Sequence, residues 1–393
     1  MSRWTILAVL FTARLSMAFQ FQSVAALSPL LVDARGYGLA DVGLLIGLYL
    51  APGVIVAFPG GAIAGWFGDR RVVALAMVLM LAGGALVGFG SGWGAVVTGR
   101  LLAGAGGVVI NIVMTRMVVD WFLGREISTA MAIFVNSWPL GIALALLTLP
   151  GVAALGGLGL ASAMELGLIV LGLALFLVVY RPAGTASSAS PAAALGGVSA
   201  WTALPLTPLV LAGFVWALYN SALALVFAFG PALLYERDWS PRGASAATSV
   251  FMLVMTISIP LGGYVADRTG RRDTVILSSL LSYAVILPAI PLVPDWAVPA
   301  IFVAVGLLFG LAAGPIMTLP SDVLPPEGRM LGMGIFFSIY YGVMMVVPPL
   351  AGGMADRVGS AGVAIMLGVG IVAACMAAFA LFRRLRAAVP LPG

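Results

Sequence analysis

Apolar stretches of twenty residues or more follow one another along the whole chain, and this repetition restricts the fold more than any single motif does. The first runs from Trp4 to Leu31, with Arg14 as its one internal charge. A helix rising about 1.5 Å per residue needs roughly 20 apolar residues to cross a bilayer's hydrocarbon core. Cutting at polar and Gly/Pro clusters predicts spans at 4–31, 41–66, 72–91, 95–121, 127–150 and 159–181, then at 206–234, 243–266, 273–294, 297–320, 330–352 and 361–382. With 62% hydrophobic and 8% charged residues, the chain has too little polar surface to cover a soluble domain, so lipid must be its main solvent. The expected fold class is an all-α membrane protein of 12 transmembrane helices in two six-helix bundles. The expected organisation is an N-terminal bundle at 1–181, a linker at 182–205 and a C-terminal bundle at 206–393. The linker is rich in Ala, Ser, Gly and Pro, a composition that buries no core.

All 19 basic residues are Arg, His is absent and Cys375 is the single cysteine. An intrachain disulfide and His-based metal or acid–base chemistry are thereby excluded, and no metal site or cofactor is expected. The net charge of +5 belongs to topology rather than to nucleic acid. Arg3, Arg70, Arg71, Arg125, Arg181, Arg268, Arg271, Arg272, Arg329, Arg383, Arg384 and Arg386 fall on one side of the predicted spans; Arg35, Arg237, Arg242 and Arg357 fall on the other. The positive-inside rule then places both termini and the linker in the cytoplasm, with the protein in the cell (inner) membrane. The first apolar stretch is longer than a signal-peptide core and lacks a small-residue cleavage pattern, so it reads as a retained helix.

The halves match at a shift of about 202 positions. Ser28–Leu31 falls on Gly230–Leu233, Gly60, Gly61 and Gly68 fall on Gly262, Gly263 and Gly270, and Ala130–Phe134 falls on Gly332–Phe336. One offset serving three separate places points to duplication, the internal symmetry of transporters built from parallel repeats. The turn after the eighth span reads Gly262-Gly263-Tyr264-Val265-Ala266-Asp267-Arg268-Thr269-Gly270-Arg271-Arg272. Its glycines permit a tight turn and close helix approach. Asp267 is expected at the positive end of a helix opening near Ile127 in the other half, contributing about 0.3–1 kcal/mol to a closed gate. The alternative is a solvated turn that only sets topology.

This loop resembles the hallmark Gly-x-x-x-Asp-Arg-x-Gly-Arg/Lys-Arg/Lys of the major facilitator superfamily, met in full at Gly263–Arg272, and the resemblance extends over essentially the whole chain. A first copy around Gly61–Arg71, with Asp69 and Arg70, departs from the pattern, having Gly65 and Trp66 where the family has acid and base. A looser third copy, Gly352-Gly353-Met354-Ala355-Asp356-Arg357-Val358-Gly359, follows the eleventh span. The resemblance implies the two-bundle fold and alternating access, with Asp267, Arg268, Gly263, Gly270, Arg271, Arg272, Asp69 and Arg70 as gating residues. Arg100, opening the fourth span before the small-residue stripe Gly99, Ala103 and Gly107, is similar to the family's second motif. It is expected in substrate binding or proton coupling, against the alternative of an Arg that snorkels or caps carbonyls. Gly306, Gly310 and Gly314 form a like stripe in the tenth span.

Arg14 lies about ten residues into the first span, near the bilayer midplane, where an Arg costs at least about 2.5 kcal/mol unless it faces a polar cavity. A cation held there calls for an anion. Its repeat mate is Trp216, and Tyr219 and Asn220 are expected at similar depth. The alternative is a permanent pair with a protein acid, for which Glu165 is the one carboxylate well inside a span. Asn111, Asn136, Trp138 and Tyr340 complete the expected substrate site, Trp138 and Tyr340 being repeat mates that suggest aromatic walls. Gln20, Gln22 and Tyr341 are weaker candidates, equally suited to bonding helix to helix.

No phosphate loop, carboxylate pair or Ser/Lys dyad is present. The expected function is secondary active transport of a small solute, an organic or inorganic anion, coupled to protons or a counter-solute, by a lipid-embedded monomer that is not an enzyme. The alternatives are a proton-driven drug or metabolite exporter and, from another class, a membrane-embedded enzyme or sensor. Such an exporter needs an acid facing the cavity, which the first, fourth, seventh and tenth spans lack.

Overall fold

A computed structural model describes residues 2–57, 67–122, 126–181, 204–324 and 329–386, without the side chains of residues 127, 128, 329 and 330. The end of the second predicted span, the Gly60, Gly61, Gly65 and Trp66 of the first motif copy, Arg125, and nearly all of the linker expected at 182–205 lie outside these residues. All regular structure among the described residues is helical.

Helix α1, Arg3–Ala26, begins where Ser2 accepts from the Trp4 N–H. A short helix, Ser28–Arg35, follows it. Helix α2, Leu39–Leu50, breaks at Pro52, whose missing N–H ends the ladder, and resumes as Pro52–Val56. Helices α3, Asp69–Phe89, and α4, Gly92–Phe122, complete an antiparallel pair. The next element, Ile127–Val179, has 53 residues and contains non-helical backbone at Gly156 and Gly157. Its two arms, α5 and α6, fold back on each other: Gly141 abuts Leu15 and Ala18 of α1, while Gly172 abuts Ala13. Eleven helical stretches among the described residues have the length and apolar character of membrane spans, and the longest holds two crossings, which brings the total to twelve.

The second half comprises α7, Leu206–Tyr235; α8, Pro241–Thr269; α9, Arg272–Ile286; α10, Val298–Gly310; α11, Arg329–Val358; and α12, Ala361–Arg386. The spans expected at 273–294 and 297–320 are each interrupted. Pro288 turns the end of α9 into a 3-10 turn at Leu287–Ala289. Pro315, which cannot bond the carbonyl four residues back at Leu311, separates α10 from the short helix Ala313–Met317.

The sequence repeat has a backbone counterpart. Left-handed conformations recur 202 positions apart at Gly36 and Asp238, Gly68 and Gly270, and Gly157 and Gly359. Arg35 donates to the Gly88 carbonyl, and its mate Arg237 donates to that of Ile290, the mate of Gly88.

The halves meet along two seams, α2 with α11 and α5 with α8. In the first seam Gly43 and Gly47 lie against the Pro348 and Met345 carbonyls, and Gly352 lies against that of Leu39, so any side chain there would drive the helices apart. Polar contacts between halves gather at the Arg-poor end: Gln22 Nε2 donates to Phe227 O at 2.9 Å, Ser245 Oγ to Ala26 O at 3.1 Å, and Tyr235 Oη to Asp33 at 2.5 Å. At the Arg-rich end every ion pair stays within its own half: Arg3 with Glu126, Asp69 with Arg116, and Asp273 and Asp322 with Arg272, Arg383 and Arg386. Among the described residues, no hydrogen bond or ion pair joins the halves there. Among the described residues, the polar contacts that fasten the two halves at an end of the molecule lie at the Arg-poor end.

Candidate functional site

Proline at position 139 sets up the site. Lacking an N–H, it leaves the Val135 carbonyl of α5 without its helical donor. Arg14 fills the gap from α1: its Nη1 donates to Val135 O, Phe134 O and Ser137 Oγ, each at 3.0 Å, while its Nε donates to Asn111 Oδ1 of α4 at 3.1 Å. The guanidinium also stands 4.8 Å from the centre of the Phe134 ring. Arg14 is neither turned to lipid nor paired with Glu165. It is 9% exposed and, among the described residues, no acid pairs with it. Two donors remain on Nη2, which has no protein partner among the described residues.

Asn111 carries the site across to the second half, its Nδ2 donating to Tyr341 Oη of α11 at 3.3 Å. The Tyr341 ring covers Gly53, where a Cβ would overlap it, and meets Tyr340 at 4.9 Å. Tyr340 in turn lies 6.2 Å from Trp216, which stacks on Tyr219 and Phe336. Arg14, Asn111, Tyr341, Tyr340 and Trp216 thus form one connected path between the bundles. Two orphan polar atoms adjoin this region on its helices, Asn136 Oδ1 on α5 and Trp216 Nε1 on α7. Sequence reasoning ranked Tyr341 among the weaker candidates, yet Gly53 opposite it in the α2–α11 seam is what admits its ring.

The other expected residues are placed differently. Tyr219 is fully buried inside the second half, its hydroxyl on the Phe309 carbonyl at 3.0 Å, and Asn220 donates to Trp216 O on its own helix. Trp138 packs on Phe21 at 5.1 Å. Arg100 is 1% exposed and spends one donor from each nitrogen on a carbonyl, Nε on Leu45, Nη1 on Gln20 and Nη2 on Phe21, with the Tyr49 ring beneath it. In this conformation it ties α1, α2 and α4 together. Glu165 is its buried neighbour, facing Ser23 and Gln20 and bordering a small crevice of about 30 Å³ that also touches Arg35 and Tyr37. Gly99 of α4 lies against α3 and Gly107 against Tyr49 of α2 and Met17 of α1, while Gly306 and Gly310 of α10 lie against α8, so the small-residue stripes are packing surfaces.

At the Arg-rich end, Gly270 takes the left-handed conformation the tight turn requires, and Gly263 lies beside Gly314. Arg268 donates to Tyr264, Arg272 pairs with Asp322, Asp69 pairs with Arg116, and Arg70 donates to the Leu177 carbonyl. Asp267 is exposed beside Arg271 and Arg272 and, among the described residues, reaches no helix end of the other half. An aspartate does cap a helix across the halves, but at the opposite end: Asp356 Oδ1 accepts from the Leu39 N–H and Oδ2 from that of Ala40, each at 2.8 Å. The pattern Gly352–Gly359 was the available signal.

Comparison with known proteins gives a consistent result. A family profile for the Major Facilitator Superfamily matches residues 10–234 and 209–392. A hexuronate transporter of Bacillus subtilis is 23% identical over 98% of this chain and 96% of its own length. A citrate–proton symporter of Klebsiella pneumoniae is 25% identical over 33% of this chain and 31% of its own. The crystal structure of the nucleoside transporter NupG superposes with a TM-score of 0.74 at 14% identity, covering 97% of this chain and 99% of that one, a likeness of fold.

Proposed function

Because this chain belongs to the major facilitator superfamily and is a membrane-spanning secondary transporter, we propose that it moves a small organic anion by alternating access, taking the carboxylate at Arg14. The single observation behind this reading is the free Nη2 edge of Arg14. The rest of that guanidinium is held by α4 and α5, so the side chain is preorganised, while two charged donors point at no protein acceptor. An arginine meets a carboxylate or phosphate through such donors, and in a partly dehydrated setting each charge-assisted bond is roughly twice as strong as a neutral one. The named solutes of two relatives, hexuronate and citrate, are carboxylates, which supports the reading. Tyr341 and Tyr340 close the site from the second half. The Arg-rich end faces the cytoplasm in this reading, so the conformation described is open inward, and Asp267 becomes a gate contact when that end closes.

The test is uptake of a panel of organic and inorganic anions, with neutral and cationic solutes as comparators, into vesicles carrying the wild type or Arg14→Ala, with and without a proton gradient. Arg14→Ala is expected to lower uptake of the preferred anion about 10- to 100-fold, the range for a hydrogen bond to a charged group. Movement of neutral or cationic solutes alone, unaffected by the substitution, overturns the proposal.

A further inference from the structure

Helix α2 begins with glycine. Gly38 occupies the N-cap position, where a side-chain oxygen would ordinarily satisfy the first free N–H groups of the helix, and glycine has none to offer. Asp41 reaches back only to the N–H of Gly38 itself, at 3.0 Å. The next two N–H groups, those of Leu39 and Ala40, are satisfied by a residue 317 and 316 positions away in the other half, the carboxylate of Asp356, one oxygen to each.

We propose that Asp356 is a latch that holds the Arg-poor end of the transporter shut and is released each time that end opens. A carboxylate on two backbone N–H groups at a helix N-terminus combines charge-assisted bonds with the favourable end of the helix dipole. The cap is delegated to the opposite bundle, so it persists only while α2 and α11 are together at this end. The glycine at 38 makes the delegation possible: a Cβ there would stand 2.8 Å from Asp356 Oδ2. Gly352, one helical turn before Asp356, lets α11 approach the Leu39 carbonyl and brings the carboxylate within reach. In contrast, Asp267, the acid of the motif copy at the Arg-rich end, has no partner among the described residues in this conformation, so it serves as a control of opposite sense.

The test measures distance across the Arg-poor end. Spin labels are attached to Ala34→Cys and Trp296→Cys, two exposed positions on opposite halves, in the full chain carrying Cys375→Ser and reconstituted in lipid vesicles. Asp356→Asn is expected to raise the population with the longer separation about two- to fivefold, the effect of losing one charge at a helix N-terminus. Gly38→Ser keeps Asp356 but gives α2 a cap of its own and crowds the carboxylate, and it is expected to raise the same population. Asp267→Asn removes a contact of the state closed at the Arg-rich end, so it is expected to lower that population. Distance distributions identical to the parent protein in both Asp356→Asn and Gly38→Ser overturn the latch, as does an equal response to Asp267→Asn.

Discussion

Arg14 and Trp216 occupy the same place in the two halves, and their surroundings are opposites. Around Arg14 the first half offers carbonyls, a hydroxyl and an amide, and it buries two further charges, Arg100 and Glu165. Around Trp216 the second half offers rings: Tyr219 at 5.9 Å, Phe336 at 6.4 Å and Tyr340 at 6.2 Å. The backbone turns of the repeat have been kept to the residue, whereas the side chains between them have diverged in chemistry. A duplicated scaffold with one charged and one aromatic face suits a solute that has an anionic end and an apolar side. In the proposed reading it also divides labour, the charged half binding the solute and the aromatic half closing over it.

That contrast can be broken first at Arg100. If the charges of the first half serve two roles, Arg14 for the solute and Arg100 for the fold, then Arg100→Leu should destabilise the protein by about 3 kcal/mol, because Glu165 loses its nearby cation and three helices lose a shared donor. Thermal unfolding in detergent should show a lowered transition, with the Michaelis constant of the surviving protein for the anion unchanged. Normal stability with a raised Michaelis constant would instead place Arg100 in the site. A smaller effect is expected at the join between the halves. Tyr341→Phe removes the hydroxyl that fixes the Asn111 amide, and about 1 kcal/mol lost there corresponds to roughly a fivefold higher Michaelis constant at unchanged maximal rate. An unaltered constant would mean that Asn111 orients Arg14 unaided. The smallest effect belongs to the aromatic face: Trp216→Phe deletes an indole N–H that has no partner, so uptake should change by less than about twofold. A tenfold loss would show that this N–H donates to the solute, and the division between charged and aromatic halves would fail.

The spans, the repeat and the polar surroundings of Arg14 were legible in the residues because each follows from a local cost. A helix in hydrocarbon must be about twenty residues long and apolar, a repeated left-handed turn keeps its glycine at two of three places, and a guanidinium at mid-depth demands polar company. The company itself was not legible. Tyr219 matches Asn220 in depth, yet it turns into the core of its own half, since a helix presents successive residues about 100 degrees apart and only packing selects the face. Arg100 and Arg14 were both expected at the substrate site, and only the carbonyls that α1 and α2 bring to all three nitrogens of Arg100 set it apart from Arg14, whose Nη2 has no partner among the described residues.

The sequence by itself thus determined that the chain lives in a membrane, how often it crosses and that it is built twice, because these depend on hydrophobic length and local backbone preference. Only the tertiary structure decided which aspartate meets a helix of the other half in this conformation, since Asp267 and Asp356 sit in like motifs and, among the described residues, only Asp356 has free N–H groups of that half within reach. A hydrogen bond between residues more than 300 positions apart is a property of how two bundles stand against each other, and the pattern Gly352–Gly359 marks the aspartate without naming its partner.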